Sequence, residues 1–467
     1  MNRIHVLTMS AGLGLVLVGV TATPRAQQQP SPDRGVTAAR PDAAGIPTFS
    51  KDVAPILYKN CAGCHRAGEI GPMSLVTYND ARPHAKAIRD EIGDGNMPPW
   101  HADPKYGKFA NDRSLTDRER ETLLRWANNG APEGNKADLP PLPKFTDGWV
   151  VGEPDVVLSL PEYKVPADGF VEYEYLEVPV DIPEDKWISG LEVRPGNREV
   201  VHHVIVHARP AQPERRPTAV RLNEGMDVPA GQTGGPAEEG AAKRTRGLSR
   251  YPRPQRVGVA IGGFAPGTST LTFEPGKAML LRKGSTIVVQ MHYTTSGKEA
   301  LDRTKIGLFF AKEPPKEEMR FANLSNGNFV IPAGAADHVV NAEMTLTADI
   351  TLYRLLPHTH LRGKSWQYTA VHPDGRSEVL LSVPRYDFNW QTDYVFSQPL
   401  KLAKGTKIRA VAHYDNSAAN KANPDSKVDV RWGDQTWEEM MFTAFVYSID
   451  GATPGTVLPA PPPKENE

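Results

Sequence analysis

Residues 201–207 read Val-His-His-Val-Ile-Val-His, a run in which β-branched residues are interspersed with histidine. Because β-branched side chains favour extended backbone, this run predicts a buried strand. Similar runs bounded by Gly, Pro and Asp continue from Trp149 onward: Val156–Leu160, Glu199–Val206, Ser285–Tyr293, Ala348–Leu356 and Lys407–Tyr414. The pattern predicts antiparallel β-sandwich or jelly-roll domains.

The composition agrees with a turn-rich β protein. The 467 residues include 40 Gly and 43 Pro, and 39% are hydrophobic. A charged break at Lys312–Glu318 predicts two β domains, at 149–318 and 319–452. The net charge of −1 gives no support for nucleic-acid binding or for an anionic membrane surface.

The N-terminal sequence predicts that the protein is exported. Residues 1–26 resemble a signal peptide, since Arg3 precedes an apolar stretch, Val6–Val20, that is short for a bilayer span. An uncleaved anchor is the alternative. We expect a disordered leader at 27–46, a disordered tail at 453–467 and no stable membrane insertion after cleavage. The expected location is periplasmic or secreted.

Residues 47–132 carry helical signals, and a Pro-rich linker is expected at 133–148. Ser50 is expected to cap a first helix, and a second is predicted near Asp80–Ile92. Thr116 and Glu119 form a capping box that opens a third helix, which Gly130 ends.

A haem attachment motif, Cys-Ala-Gly-Cys-His, occupies residues 61–65. Two thiols at this spacing add to two haem vinyl groups, which places His65 under the iron. Cys61 and Cys64 are the only cysteines in the chain. Attachment would consume both, leaving neither a disulfide nor a thiolate for a blue-copper site.

The sixth iron ligand is expected to be Met97, held in the loop Asn96-Met97-Pro98-Pro99-Trp100. Met73, His84 and His101 are the alternatives. The helices, the motif and this loop together resemble a class I cytochrome c over residues 47–132. The resemblance implies an all-α domain with one covalent haem c and an external electron donor to that haem.

The β region holds a histidine constellation. In a strand, residues i and i+2 share a face, so His358 and His360 can bind one metal. His202 and His203 point to opposite faces unless a bulge or strand end brings them together, and His292 can add a third imidazole. Imidazole suits copper, zinc or iron, and an electron-carrying haem in the same chain favours copper over redox-inert zinc.

Four motifs resemble the copper type II, ascorbate-dependent monooxygenases, the family of the peptidylglycine α-hydroxylating and dopamine β-monooxygenases. They are Val201–Val204, Val288–Tyr293, Pro357–Lys364 and Glu438–Met441. The resemblance implies two consecutive antiparallel β-sandwich domains and two coppers. One copper would take His202, His203 and His292, and the other would take His358, His360 and Met440, with Met441 as the rival of Met440.

The family likeness implies hydroxylation of a substrate C–H bond. Dioxygen would bind at the His358/His360/Met440 copper, and the three-histidine copper would supply the second electron. The haem would replace ascorbate as reductant. Leu356, Phe442 and Ala444 stand where the peptidylglycine enzyme binds a carboxylate, so a more apolar small molecule is expected. The alternatives are a non-catalytic electron-transfer or copper-binding protein, and an oxidase or peroxide-using enzyme.

Overall fold

The computed structural model describes residues 45–145, 148–212, 219–222, 254, 256–265 and 270–457. The expected signal peptide, nearly all of the leader and most of the C-terminal tail lie outside these residues. Where the chain is described, no helix combines the length and apolarity that crossing a membrane requires.

Strands dominate the chain from residue 156 onward. The first thirteen are β1 (Val156–Ser159), β2 (Tyr163–Val165), β3 (Glu174–Pro179), β4 (Lys186–Arg194), β5 (Val201–Arg209), β6 (Val220–Leu222), β7 (Val259–Phe264), β8 (Thr270–Thr272), β9 (Lys277–Leu281), β10 (Thr286–Tyr293), β11 (Ala300–Asp302), β12 (Lys305–Phe310) and β13 (Glu317–Glu318). One sheet has the order β1-β12-β4-β9-β13, with β8 also on β4. A second has the order β3-β10-β5-β7.

The remaining strands are β14 (Arg320–Ser325), β15 (Val330–Ile331), β16 (His338–Leu346), β17 (Ile350–His358), β18 (Gly363–Val371), β19 (Ser377–Val383), β20 (Tyr394–Leu402), β21 (Lys407–Tyr414), β22 (Val430–Arg431) and β23 (Phe442–Ile449). They form a sheet ordered β14-β23-β17-β20 and another ordered β19-β18-β21-β16-β6. Two short pairs, β11-β2 and β15-β22, complete the topology of the described residues.

The large sheets stack in two sandwich-like pairs, each around its own apolar core. Leu191 from β4 and Val204 from β5 share the first core. Leu352 from β17 and Trp366 from β18 share the second. The five quoted strand predictions are confirmed, because each run overlaps an observed strand that contributes apolar side chains to one of the two cores. The expected boundary at residue 318 stays a prediction.

The helices are short. They are α1 (Ala54–Asn60), which continues a π-helical turn at Phe49–Val53, α2 (Tyr78–Ala81), α3 (Ala85–Gly93) and α4 (Asp117–Asn128), with 3-10 turns at Arg82–His84 and Lys136–Asp138. The Thr116–Glu119 capping box at the start of α4 is confirmed. The expected cap at Ser50 is wrong, because Thr48 occupies the cap position and Ser50 is buried. The single helix expected near Asp80–Ile92 is divided at Pro83, which cannot donate a backbone hydrogen bond.

The expected small all-α cytochrome c domain is also wrong. The chain is mostly β, its longest helix within the described residues has 12 residues, and Ile46–Glu467 is one compact unit. After α3 the chain is extended and follows β20. Ala110 N donates to Val395 O at 2.8 Å, and Trp100 packs 5.0 Å from Tyr394. The apolar side chains of Trp100 and Phe109 are covered by the second sandwich, which joins this segment to the β region.

Candidate metal centre

A β-bulge brings three histidines together. In the β5–β10 ladder His203 lies opposite His292, but the next pair is Val201 with Tyr293, so His202 is the extra residue. The Nδ1 atom of His203 lies 3.4 Å from that of His202 and 3.3 Å from that of His292. One ligand atom from each residue lies within 4.8 Å of the others. The bulge removes the opposite-face conflict that a regular strand would impose.

Burial keeps these imidazoles neutral. It lowers the pKa of His202 to about 4 and lowers the pKa values of His203 and His292 well below their usual range. Positive charge on neighbouring histidines would lower these pKa values further. Because only a neutral imidazole offers a lone pair, the set is in the protonation state that binds a metal.

His358 and His360 are each held by one ring nitrogen. His358 Nδ1 donates to Gln391 Oε1 at 2.9 Å, and His360 Nδ1 donates to the Glu438 carbonyl at 3.1 Å. These bonds place the lone pair of both rings on Nε2. The Nε2 atom of His360 is buried and has no hydrogen-bond partner among the described residues. Burial lowers the pKa of His358 to about 4 and that of His360 well below its ordinary value.

The strand register distinguishes Met440 from Met441. Between β17 and β23, Leu356 pairs with Ala444 and His358 with Phe442. The paired register ends there, with His360 two residues after His358 and Met440 two residues before Phe442. Met440 lines a cavity together with His358, whereas Met441 is fully buried in the second core. Met440, not Met441, therefore shares the cavity with His358.

A buried carboxylate anchors the turn that carries His360. Glu439 accepts hydrogen bonds from the backbone N–H groups of His360, at 2.8 Å, and Arg362, at 2.6 Å. Burial raises the pKa of Glu439 to about 7, and these N–H donors oppose that rise. The residue therefore holds the backbone of the turn rather than facing the cavity.

The histidine sets open into a cavity of about 530 Å³ between the two sandwiches. Its walls come from β5, β7 and β10 on one side and from β14, β17 and β23 on the other. His203, His358 and Met440 line it together with Leu356, Phe442 and Ala444, the three positions at which the family likeness would place a carboxylate site. The cavity-lining Arg354 pairs with Asp393 at 2.8 Å, which balances its charge.

Two contributors were missed by sequence reasoning. Phe388 stacks on His202 at 4.9 Å and 20°, and Gln391 holds His358. Both follow β19 and lie more than 25 residues from the histidines that they contact, including His360, whose ring lies 6.0 Å from Phe388. No local motif marks either residue.

Two further histidines, His207 and His413, lie in different environments. His207 lines the cavity on the face of His203, with Nδ1 3.3 Å from Val288 O. His413 instead bonds the exposed Asp337 at 3.0 Å. His207 therefore faces the cavity that contains the candidate ligands, whereas His413 faces the protein surface.

The haem motif lies after α1. His65 Nδ1 donates to Met73 O at 3.3 Å, which leaves Nε2 for an iron. The loop folds closely over this ring, since a methyl group at Gly71 would meet His65 Nδ1 at 2.7 Å. Cys61 and Cys64 are free thiols. These features fit covalent haem attachment, while Met97 as sixth ligand stays a prediction.

The donor chemistry of the β region fits copper. Five neutral imidazoles and one thioether are ligands that copper accepts. The orphaned Nε2 atoms of His202 and His360 are buried polar atoms that a metal would satisfy. The residues present therefore agree with two sets of copper ligands.

No family model and no curated protein matches this sequence. Solved structures with a weak likeness include PBCV-1 VP54, fitted into a reconstruction of the virophage Sputnik, with 10% identity, a TM-score of 0.24, and coverage of 68% of this chain and 100% of that one. A "putative secreted protein" from Eubacterium rectale has 8% identity, a TM-score of 0.18, and coverage of 59% and 69%. A structure of infectious bursal disease virus, Gt strain, has 11% identity, a TM-score of 0.18, and coverage of 66% and 78%. Likeness at this level carries no functional argument.

Proposed function

We propose that this protein is an exported, copper-dependent monooxygenase that hydroxylates a C–H bond of a small, largely apolar molecule. The overall change is R–H + O₂ + 2 e⁻ + 2 H⁺ → R–OH + H₂O. The electrons come from an external donor through a haem c bound by Cys61, Cys64 and His65. The proposed location is periplasmic or secreted.

One observation supports this proposal: His358, Met440 and His203 line the same cavity. Copper, when bound, supplies dioxygen activation and electron transfer. Two imidazoles with a weak thioether at His358, His360 and Met440 favour Cu(I) with an open position. Three imidazoles at His202, His203 and His292 suit a copper that changes oxidation state.

The chain's own residues orient and shield the reacting groups. Gln391 and the Glu438 carbonyl each hold an Nδ1 proton, so that the Nε2 atoms face the metal position. The walls at Leu356, Phe442 and Ala444 offer an apolar substrate a complementary surface. The Arg354–Asp393 pair is charge-balanced, which disfavours an anionic substrate.

The test compares Met440→Ala with the matched variant Met441→Ala. In the copper-loaded, reduced protein, dioxygen consumption should fall sharply in Met440→Ala, because the thioether ligand is lost. Met441→Ala should instead lower thermal stability through a core cavity and retain dioxygen consumption. Unchanged dioxygen consumption in Met440→Ala would refute oxygen activation at this site and favour a non-catalytic electron-transfer protein.

A further inference from the structure

We propose that two arginines, Arg198 and Arg385, hold the haem segment (residues 61–97) against the three-histidine set on β5 and β10, so that electrons from the haem enter the β region at His202. The haem and the copper in this statement rest on the proposed function, but the contacts of the two arginines do not. Arg198 precedes His202 by four positions, and Arg385 precedes Phe388, which stacks on His202, by three.

An ion-pair network joins the haem attachment motif to the first sandwich. Arg66 donates to the carbonyls of Ala62, at 3.0 Å, and Gly63, at 2.6 Å, the two residues between the cysteines. One carboxylate oxygen of Glu69 accepts from Arg66 at 2.7 Å, and the other lies 3.4 Å from Arg198. The side chains of Glu69 and Arg198 are only 16% and 27% exposed, which limits screening of this pair by solvent. Glu69 therefore ties the turn between the two haem-binding thiols to the loop that leads into β5.

The chain from Arg198 to His202 is short. Four residues span at most about 14 Å when fully extended. Here the backbone turns, since Val201 N donates to Asn197 O at 3.2 Å, so the actual span is smaller. His202 is only partly buried, whereas the other two imidazoles of its set are buried. His202 is consequently the least enclosed ring of the set and the one nearest in the chain to the haem contact.

The second contact fixes the loop that is expected to supply the sixth iron ligand. Arg385 donates to the carbonyl of Asp94 at 2.8 Å and also to that of Gly95, just before this loop. Three residues after Arg385, Phe388 stacks on His202 at 4.9 Å and 20°. The turn that follows β19 therefore contacts the haem segment and the three-histidine set at once.

The two contacts define a one-electron step. One electron passes from ferrous haem, which becomes ferric, to a cupric ion at the three-histidine set, which becomes cuprous. No bond forms or breaks, and no proton moves. The external donor then reduces the haem again. Arg198 and Arg385 are positioning residues, because their contacts keep short the distance that the electron crosses.

The experiment follows the haem itself, without substrate or dioxygen. In the full chain loaded with Cu(II), a light pulse with a photoreductant makes the haem ferrous, and absorbance reports its reoxidation. The rate constant should not depend on protein concentration, because donor and acceptor belong to one chain. His202→Ala should leave the haem reduced, whereas His360→Ala, which alters the other ligand set, should keep the parental rate.

Charge reversal tests Arg198. In Arg198→Glu the new carboxylate meets Glu69, and we expect this like-charge contact to slow reoxidation by about tenfold or more. Adding Glu69→Arg restores opposite charges and should return the rate to within about threefold of the parent. Arg376→Glu is the matched control, because Arg376 pairs with Asp374 in an exposed turn, and it should keep the parental rate.

The haem reduction potential is a second readout, which does not require copper. It should fall in Arg198→Glu, because loss of a nearby positive charge favours the ferric state, and recover in the double reversal. Arg385→Ala should slow reoxidation and alter the haem spectrum, because the loop before Met97 loses two hydrogen bonds. Arg385→Lys retains a cationic donor and should lie between Arg385→Ala and the parent.

The outcomes separate the two proposals. Parental reoxidation in either Arg198→Glu or Arg385→Ala, with haem and copper fully retained, would overturn this route. A copper-loaded parent chain whose haem is not reoxidised would overturn it as well. Failure of the proposed function is a different result, since dioxygen consumption unchanged by Met440→Ala would refute the monooxygenase and leave the haem-to-copper rate as it is.

Discussion

The hydrogen bond between Gln391 and His358 offers the most direct test of how the second ligand set is built. His358 Nδ1 donates to Gln391 Oε1 at 2.9 Å, and both side chains are buried. We expect Gln391→Leu to leave the Nδ1–H unsatisfied and to release the ring from the orientation that presents Nε2. Gln391→Glu retains an acceptor at this position and is the matched control.

The size of the effect follows from the buried donor. Leaving a buried polar group unpaired costs about 1–3 kcal/mol. At 1.4 kcal/mol per tenfold change, this is roughly 5- to 150-fold in copper affinity. Hydrogen-bond partners of metal-bound histidines typically contribute 10- to 100-fold, roughly the same range.

The assay is Cu(I) affinity measured by competition with a chromophoric chelator. Gln391→Leu should weaken one of the two proposed copper sites, and the proposed site at His202, His203 and His292 serves as an internal reference. Gln391→Glu should bind both coppers with an affinity near that of the parent. Parental affinity at both sites in a folded Gln391→Leu protein would refute the claim that this hydrogen bond orients His358.

Three further outcomes are expected. Replacing both thiols, Cys61→Ser with Cys64→Ser, should remove both thioether bonds and leave any bound haem extractable by acid acetone, whereas the parent chain should retain its haem through denaturation. Leu123→Ala, in the helical core, should cost about 2–5 kcal/mol of unfolding free energy, measured by denaturant titration, while the 56% exposed Leu142→Ala should change it by less than about 0.5 kcal/mol. The hydrogen bond from Lys59 lowers the pKa of Glu119 to about 2 from 4.5. The stabilisation that this carboxylate provides is therefore fully present above pH 4.5 and is lost as the pH falls toward 2. Glu119→Gln should make the unfolding free energy less dependent on pH across that window. An equally steep loss in Glu119→Gln would assign the acid sensitivity to other groups.

Much of the local structure could be predicted because its causes lie within a few residues. Alternation of apolar and polar side chains placed β5, β10, β17 and β21 within three residues of their observed bounds. The Thr116–Glu119 pair marked the start of α4, since both partners of the capping box are three residues apart. Strand spacing alone predicted that His358 and His360 can share a metal, whereas the assignment of Met440 came from the resemblance to the copper monooxygenases.

The prediction of an independent helical domain was wrong because the residues that pack against this segment lie far along the chain. Local pattern indicated helices and a haem motif, and these suggested an independent domain. Trp100 and Phe109, however, pack against Tyr394 and Phe396 of β20. Local periodicity cannot predict a contact between residues almost 300 positions apart.

The sequence by itself determined which residues could bind a metal and which runs would be strands, because ligand chemistry and short-range periodicity are properties of the side chains themselves. Only the tertiary structure decided that a bulge turns His202 toward His203, that Met440 rather than Met441 reaches the cavity, and that Gln391 holds His358. These outcomes depend on strand register and on the packing of two sandwiches. Both arise from the joint burial of distant apolar surfaces, which no short stretch of residues specifies.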